Sequence, residues 1–233
     1  MTDRLLLRLA TALLLGGLLL TFVVGAFHPD KGDANDHASA FTHYANSDAW
    51  TAVHLGQFVS MAIAIGGLIA LFFALGIRSG PSLWLNRLGV VAAGVALAAY
   101  AVLQAVDGVA LKQSVDAWLA ASPADAPIRF ASAEAIRWLE WGMRSYFSFL
   151  LGLAFVMFGL GLVRSARVPR PIGLLMALTG LAYIAQGWVV GSEGFSASNS
   201  LPTLVGYGVW LVWGIWFLFL AWQPAKAVHW AET

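Results

Sequence analysis

Six runs of apolar residues, each long enough to cross a bilayer, alternate with short polar segments along the 233-residue chain. A bilayer's hydrocarbon core takes about 20 mostly apolar helical residues. The qualifying runs are residues 5–27, 50–77, 88–111, 138–163, 171–190 and 201–222. Helix is the expected form, because lipid offers no partner to a backbone amide and each span must satisfy its own. The pattern predicts an all-α, polytopic membrane bundle of six transmembrane helices, a single domain over residues 1–233. Small residues four apart share helix faces: Ala62 and Gly66, Ala92 and Ala96, Gly173 and Ala177. Such pairs predict close approach of neighbouring helices.

Basic residues orient the spans, since short segments rich in Lys and Arg stay in the cytoplasm. Arg4 and Arg8 precede the first span, Arg78 and Arg87 bracket the second connection, and Arg164, Arg167 and Arg170 fill the fourth. Lys226 follows the sixth span. These segments alternate with acidic or mixed ones at 28–49, 112–137 and 191–200, so the expected topology is N-in/C-in. Arg4 and Arg8 before an apolar run also resemble a signal peptide, with Val24-Gly25-Ala26 as a cleavage site. The run from Leu9 to Phe27 exceeds the usual signal core of about 7–15 residues, so a retained span is expected; cleavage would leave five. Two hairpins echo one another: Leu75-Gly76-Ile77-Arg78-Ser79 leading to Arg87-Leu88-Gly89, and Gly161-Leu162-Val163-Arg164-Ser165 leading to Pro171-Ile172-Gly173. They are candidate copies of one unit, as transporters often contain.

Composition agrees with the pattern. The chain is 60% hydrophobic and 11% charged, against about 25% charged in soluble domains. The lipid bilayer is therefore the expected partner. A net charge of +1 gives no reason to invoke nucleic acid. The absence of cysteine excludes disulfides, thiolate metal ligands and a cysteine nucleophile.

The stretch from Leu150-Leu151-Gly152 through Gly159 and Gly161 to Arg164-Ser165 continues into Pro169-Arg170-Pro171 and Thr179-Gly180-Leu181-Ala182-Tyr183. Its glycine-rich helix, Ser-x-x-x-Pro-Arg turn and Gly-Leu-Ala-Tyr segment resemble a bacterial family of six-span integral membrane proteins of unknown function. The likeness is best over these fourth and fifth spans, and the span layout matches along the whole chain. The resemblance implies the six-span architecture and a bacterial inner (plasma) membrane location. It carries no activity or catalytic residue.

Candidate chemistry falls in two places. Four of five histidines, His28, His37, His43 and His54, lie between the end of span one and the start of span two, among Asp30, Asp33, Asp36 and Asp48; His229 is in the C-terminal tail. Imidazole with carboxylate is a ligand set for divalent metals, so these four histidines are candidate metal ligands. A haem held between His28 and His54 is a narrower variant. The spacing matches no known metal signature, and a hydrophilic loop explains the same residues. The second group is within or beside the spans: Gln57, Gln104, Asp107, Glu140, Arg144 and Gln186 all fall in the outer halves of their helices. Ionisable groups at such depth face the bundle interior and find partners. Glu140 and Arg144, four apart, are expected to pair, with Arg137 extending the stripe. The alternative is that Arg144 snorkels at the interface with Glu140 in water. Tyr207, Trp210, Trp213 and Phe217 repeat at helical spacing and are candidates for core packing or for an apolar cavity. Trp50, Trp188 and Trp222 fit an interfacial belt.

No phosphate-binding glycine loop, nucleophile elbow or metalloprotease helix occurs. The expected function is an outward-facing polar pocket that binds a metal ion or small ligand, with redox or hydrolytic chemistry open. A small-solute transporter or channel with Asp107 on its path is the first rival. The second is a non-catalytic module assisting a partner protein, as homo- or hetero-oligomer.

Overall fold

A computed structural model describes residues 3–29, 33–165 and 167–223. The described chain is helical, and six of its helices are long and apolar enough to cross a membrane. In chain order the elements are α1 (Arg4–Gly25), α2 (His37–Ala45), α3 (Trp50–Leu75), α4 (Gly80–Ala105), a π-helical stretch (Val106–Leu111), α5 (Lys112–Leu119), α6 (Ala126–Arg164), α7 (Arg170–Glu193) and α8 (Ser200–Trp222). Each boundary has a local cause. Asp3 caps α1 by accepting from the Leu6 amide. Gly76 ends α3 in the left-handed conformation that glycine adopts most readily. Pro81, Pro127 and Pro171 stand in the first turns of α4, α6 and α7, where the missing amide has no partner to lose.

Lipid gives helices no hydrophobic reason to associate, so packing depends on close backbone approach. The α6–α7 seam does this with glycines: a Cβ on Gly152 would lie 2.6 Å from the Gly180 carbonyl, and one on Gly159 2.5 Å from that of Gly173. Gly17 and Gly67 set α1 against α3 in the same way. Ala92 and Ala96 are buried as expected, but the α3 seam is shifted by one residue from the expected pair: Gly67 makes the contact, and Gly66 faces open space. Trp210 and Trp213 are buried against Phe155, and Phe217 is buried against Trp213. They fill the core, with the Trp213 indole donating to Thr179 Oγ1 at 3.0 Å.

Two spans outrun the sequence pattern. α6 has 39 residues, about 58 Å at the helical rise, twice the hydrocarbon thickness. α4, the π stretch and α5 together make one continuous 40-residue helix. The segment expected as an outer loop at 112–137 is thus mostly helix. Its residues, with α2, build a second small core from Phe41, Tyr44, Trp50, Leu111, Val115 and Ala133. This cap covers one end of the bundle. At the other end Arg4 and Arg8 donate to the carbonyls of Gln223 and Ala221, tying the start of α1 to the end of α8.

Candidate functional site

Beneath the cap is a cavity of about 310 Å³, lined by polar side chains from α3, α4, the π stretch and α6. Its position follows from the π stretch. A π turn inserts a residue and frees carbonyls from the helical ladder, and such turns recur at functional sites. Here α3 takes up the freed groups: the Trp50 indole donates to the Asp107 carbonyl and the Thr51 hydroxyl to that of Gly108, both at 2.9 Å. Gly108 makes this possible, since a Cβ there would fall 2.5 Å from His54 Cβ. Trp50 is therefore a buried structural group and not part of an interfacial belt. Trp188 and Trp222 are exposed, as a belt requires.

His54 lies one helical turn along from Trp50. Its Nδ1 is 2.7 Å from the Trp50 carbonyl, which can only accept, so Nδ1 carries the proton. Nε2 then turns to Asp107, 3.1 Å from Oδ2, without hydrogen-bond alignment. Asp107 Oδ1 is buried with no donor. Gln104 donates weakly to Gln57 Oε1 at 3.3 Å and leaves its own Oε1 buried and unpartnered. The cavity therefore presents acceptor oxygens that its own walls do not satisfy.

The α6 side supplies charge. Glu140 is 2% exposed and pairs with Arg137, 3% exposed, at 2.7 Å. The expected Glu140–Arg144 pair does not form; the i,i+3 partner takes the carboxylate. Burial of Glu140 under the cap also rules out a carboxylate in open water. The Arg137 guanidinium sits over the rings of Tyr44, Trp141 and Phe195. Arg144 is different. No carboxylate among the described residues lies within ion-pair distance of it, and its Nε is buried without a hydrogen bond. It stands over Phe147, with the Tyr207 hydroxyl within hydrogen-bonding reach and Tyr100 and Tyr183 nearby.

The cavity thus gathers Gln57, Gln104, Asp107, Glu140 and Arg144, with His28 at its rim and His54 beside Asp107. Gln186 is elsewhere: it is held between Ser148 and Thr203 at the α6–α7–α8 junction. The four histidines are not gathered into one cluster, and among the described residues no group of three or more His, Asp or Glu is placed to hold a metal. His37 pairs with Glu134 on the cap at 3.0 Å, and His43 is half-buried in the last turn of α2. The His28 and His54 rings stand edge to face, their centroids 5.1 Å apart and their planes at 60°. Asp36 caps α2 and Asp33 accepts from the Asn35 amide. Asp30, Lys226 and His229 lie outside the described residues. Tyr44 and Phe195 line the cavity although no sequence pattern marked them.

These features define a multi-pass, all-helical integral membrane protein with a polar cavity under a helical cap. Residues 6–220 match the family described as domain of unknown function DUF4386, and the chain belongs to that family. No curated protein and no solved structure matches the chain.

Proposed function

We propose that the capped cavity binds a small molecule that combines an anionic group with hydrogen-bond donors. The observation that carries this reading is Arg144, a half-buried arginine that lines the cavity with its Nε buried and unbonded and no carboxylate at contact. Drawing a guanidinium partly out of water with no carboxylate at contact is costly, and an anionic ligand in the cavity offsets that cost. Arg is suited to the role, because its planar fork meets carboxylate or phosphate in two parallel bonds. The unpartnered oxygens of Asp107 and Gln104 call for the donors on the same molecule. Glu140 is occupied by Arg137 and serves to hold the cavity wall.

The reading places the cavity at the outer face of a bacterial inner membrane. The arginines of the 78–87 and 164–170 connections support this, lying at the bundle end opposite the cap. Close packing below the cavity, with Tyr100, Phe147 and Leu151 at 3% exposure or less, favours binding over conduction.

The test is thermal unfolding of the purified protein with acetate, inorganic phosphate or phosphoethanolamine. Phosphoethanolamine, which carries both an anion and an ammonium, should stabilise most, and Arg144→Gln should abolish the shift. Equal shifts in wild type and Arg144→Gln would reject the reading.

A further inference from the structure

We propose that the ligand is an amphiphile: a zwitterionic phosphate headgroup seated in the polar cavity, with a single acyl chain leaving through the crevice between α3 and α4. This deepens the cavity reading above and rests on it.

The crevice is a second space, about 260 Å³, on the flank of the bundle. Leu55 and Phe58 form its α3 wall, and Ala101, Ala105 and Val109 its other wall. Leu55 and Val109 are exposed apolar side chains on two helices long enough to cross a membrane, and in this proposal the crevice opens to the bilayer. Gln104 lines both this crevice and the polar cavity, and His54 lines the crevice while its Nε2 meets Asp107 in the cavity wall. Two side chains therefore separate an apolar slot from a polar chamber. Each has a buried polar atom without a hydrogen bond, Gln104 Oε1 and His54 Nε2. Gln104 itself is 8% exposed.

A water-soluble zwitterion has no use for an apolar slot at the cavity wall, and a plain hydrocarbon has no use for Arg144. One molecule satisfies both only if it has a polar head and an apolar chain. Arg144 takes the phosphate by paired N–H···O bonds, and Asp107 with Gln104 accepts from the ammonium. The chain replaces lipid contacts with equivalent contacts to Leu55, Phe58 and Val109, so it adds little contact energy over the bilayer. Its contribution is to deliver the headgroup laterally, at the high effective concentration of a membrane-dissolved molecule.

The experiment uses the full chain in phosphatidylcholine nanodiscs. Binding of dodecanoyl-lysophosphatidylethanolamine and of free phosphoethanolamine is measured for wild type, Arg144→Gln, Ala105→Trp and Leu55→Trp. The two tryptophans plug the crevice from opposite walls at lipid-facing positions, so a folding failure in one leaves the other to decide. The lysolipid should bind wild type at least about tenfold more tightly than its headgroup. Either plug should remove that advantage and leave phosphoethanolamine binding unchanged, while Arg144→Gln weakens both. Lysolipid binding that survives both plugs, or that never exceeds headgroup binding, overturns the amphiphile and leaves the cavity reading standing. Binding of both probes that ignores Arg144→Gln overturns the two together.

Discussion

Arg137 and Glu140 show how a charge becomes tolerable beside lipid. Both are nearly fully buried, three apart on α6, and each neutralises the other at 2.7 Å. Losing one partner leaves the other as a buried lone charge, which costs about 3–5 kcal/mol, whereas replacing both with apolar residues is close to neutral. Arg137→Met should therefore lower unfolding stability in detergent by about that amount, and Arg137→Met with Glu140→Leu should regain most of it. A double variant no more stable than the single one would show that the pair is not the dominant contact. Gly108 is the second single residue on which the site depends. Gly108→Ala sets a methyl 2.5 Å from His54 Cβ, so the expected cost is about 1–3 kcal/mol of overpacking. Its signature is a changed His54 ring-nitrogen resonance as the ring leaves Asp107. Gly94→Ala, which meets open space, should leave that resonance in place. The candidate side chains were legible in the sequence because a charged or amide side chain in or beside an apolar run is conspicuous: Gln57, Gln104, Asp107, Glu140 and Arg144 stood out on that ground alone. Their pairing was not legible. Spacing of three and of four both put charges on one face, and only packing against Tyr44 and Phe195 selects Arg137 as the partner of Glu140.

Helices read from hydropathy end where the apolar run ends, and that is why α4–α5 and α6 were foreseen too short. Beyond the lipid their residues are polar or mixed, yet α6 continues with Ala133 and Arg137 turned into the cap. The cap helix α2 left no hydropathy signal at all, since its nine residues bury only Ala40, Phe41 and Tyr44. The π stretch was equally hidden, because it depends on Trp50 and Thr51 meeting the Asp107 and Gly108 carbonyls from another helix. The glycine seam of α6 and α7 was visible as composition, and its geometry gives an element-scale test. Gly180→Val should separate the two helices, because any side chain there meets the Gly152 carbonyl and Val156 below 3 Å. The expected outcome is a loss of folded protein on mild extraction. Gly208→Val, which meets open space on α8, should leave extraction unchanged. Equal behaviour of the two variants would remove the seam as a source of stability.

At the scale of the molecule, asymmetry between the ends determines what the site can meet. One end holds the short arginine-bearing turns; the other holds the cap, the cavity and the four described histidines. Both ends of the described chain lie together, tied by Arg4 and Arg8 to the end of α8, so one measurement of sidedness orients every helix. The absence of cysteine makes that measurement clean. Ser39→Cys, on the cap helix, should react with a membrane-impermeant maleimide added to intact spheroplasts. Ser79→Cys, in the α3–α4 turn, should react only after permeabilisation. The cap would then face the outer water layer, and a ligand would reach Arg144 from outside the cell or laterally from the outer leaflet. The opposite labelling pattern would turn the cavity toward the cytoplasm and draw its ligand from cytoplasmic solutes or the inner leaflet. Because the polar chamber and the lipid-facing crevice sit at the same end of the bundle, the leaflet that supplies one must supply the other.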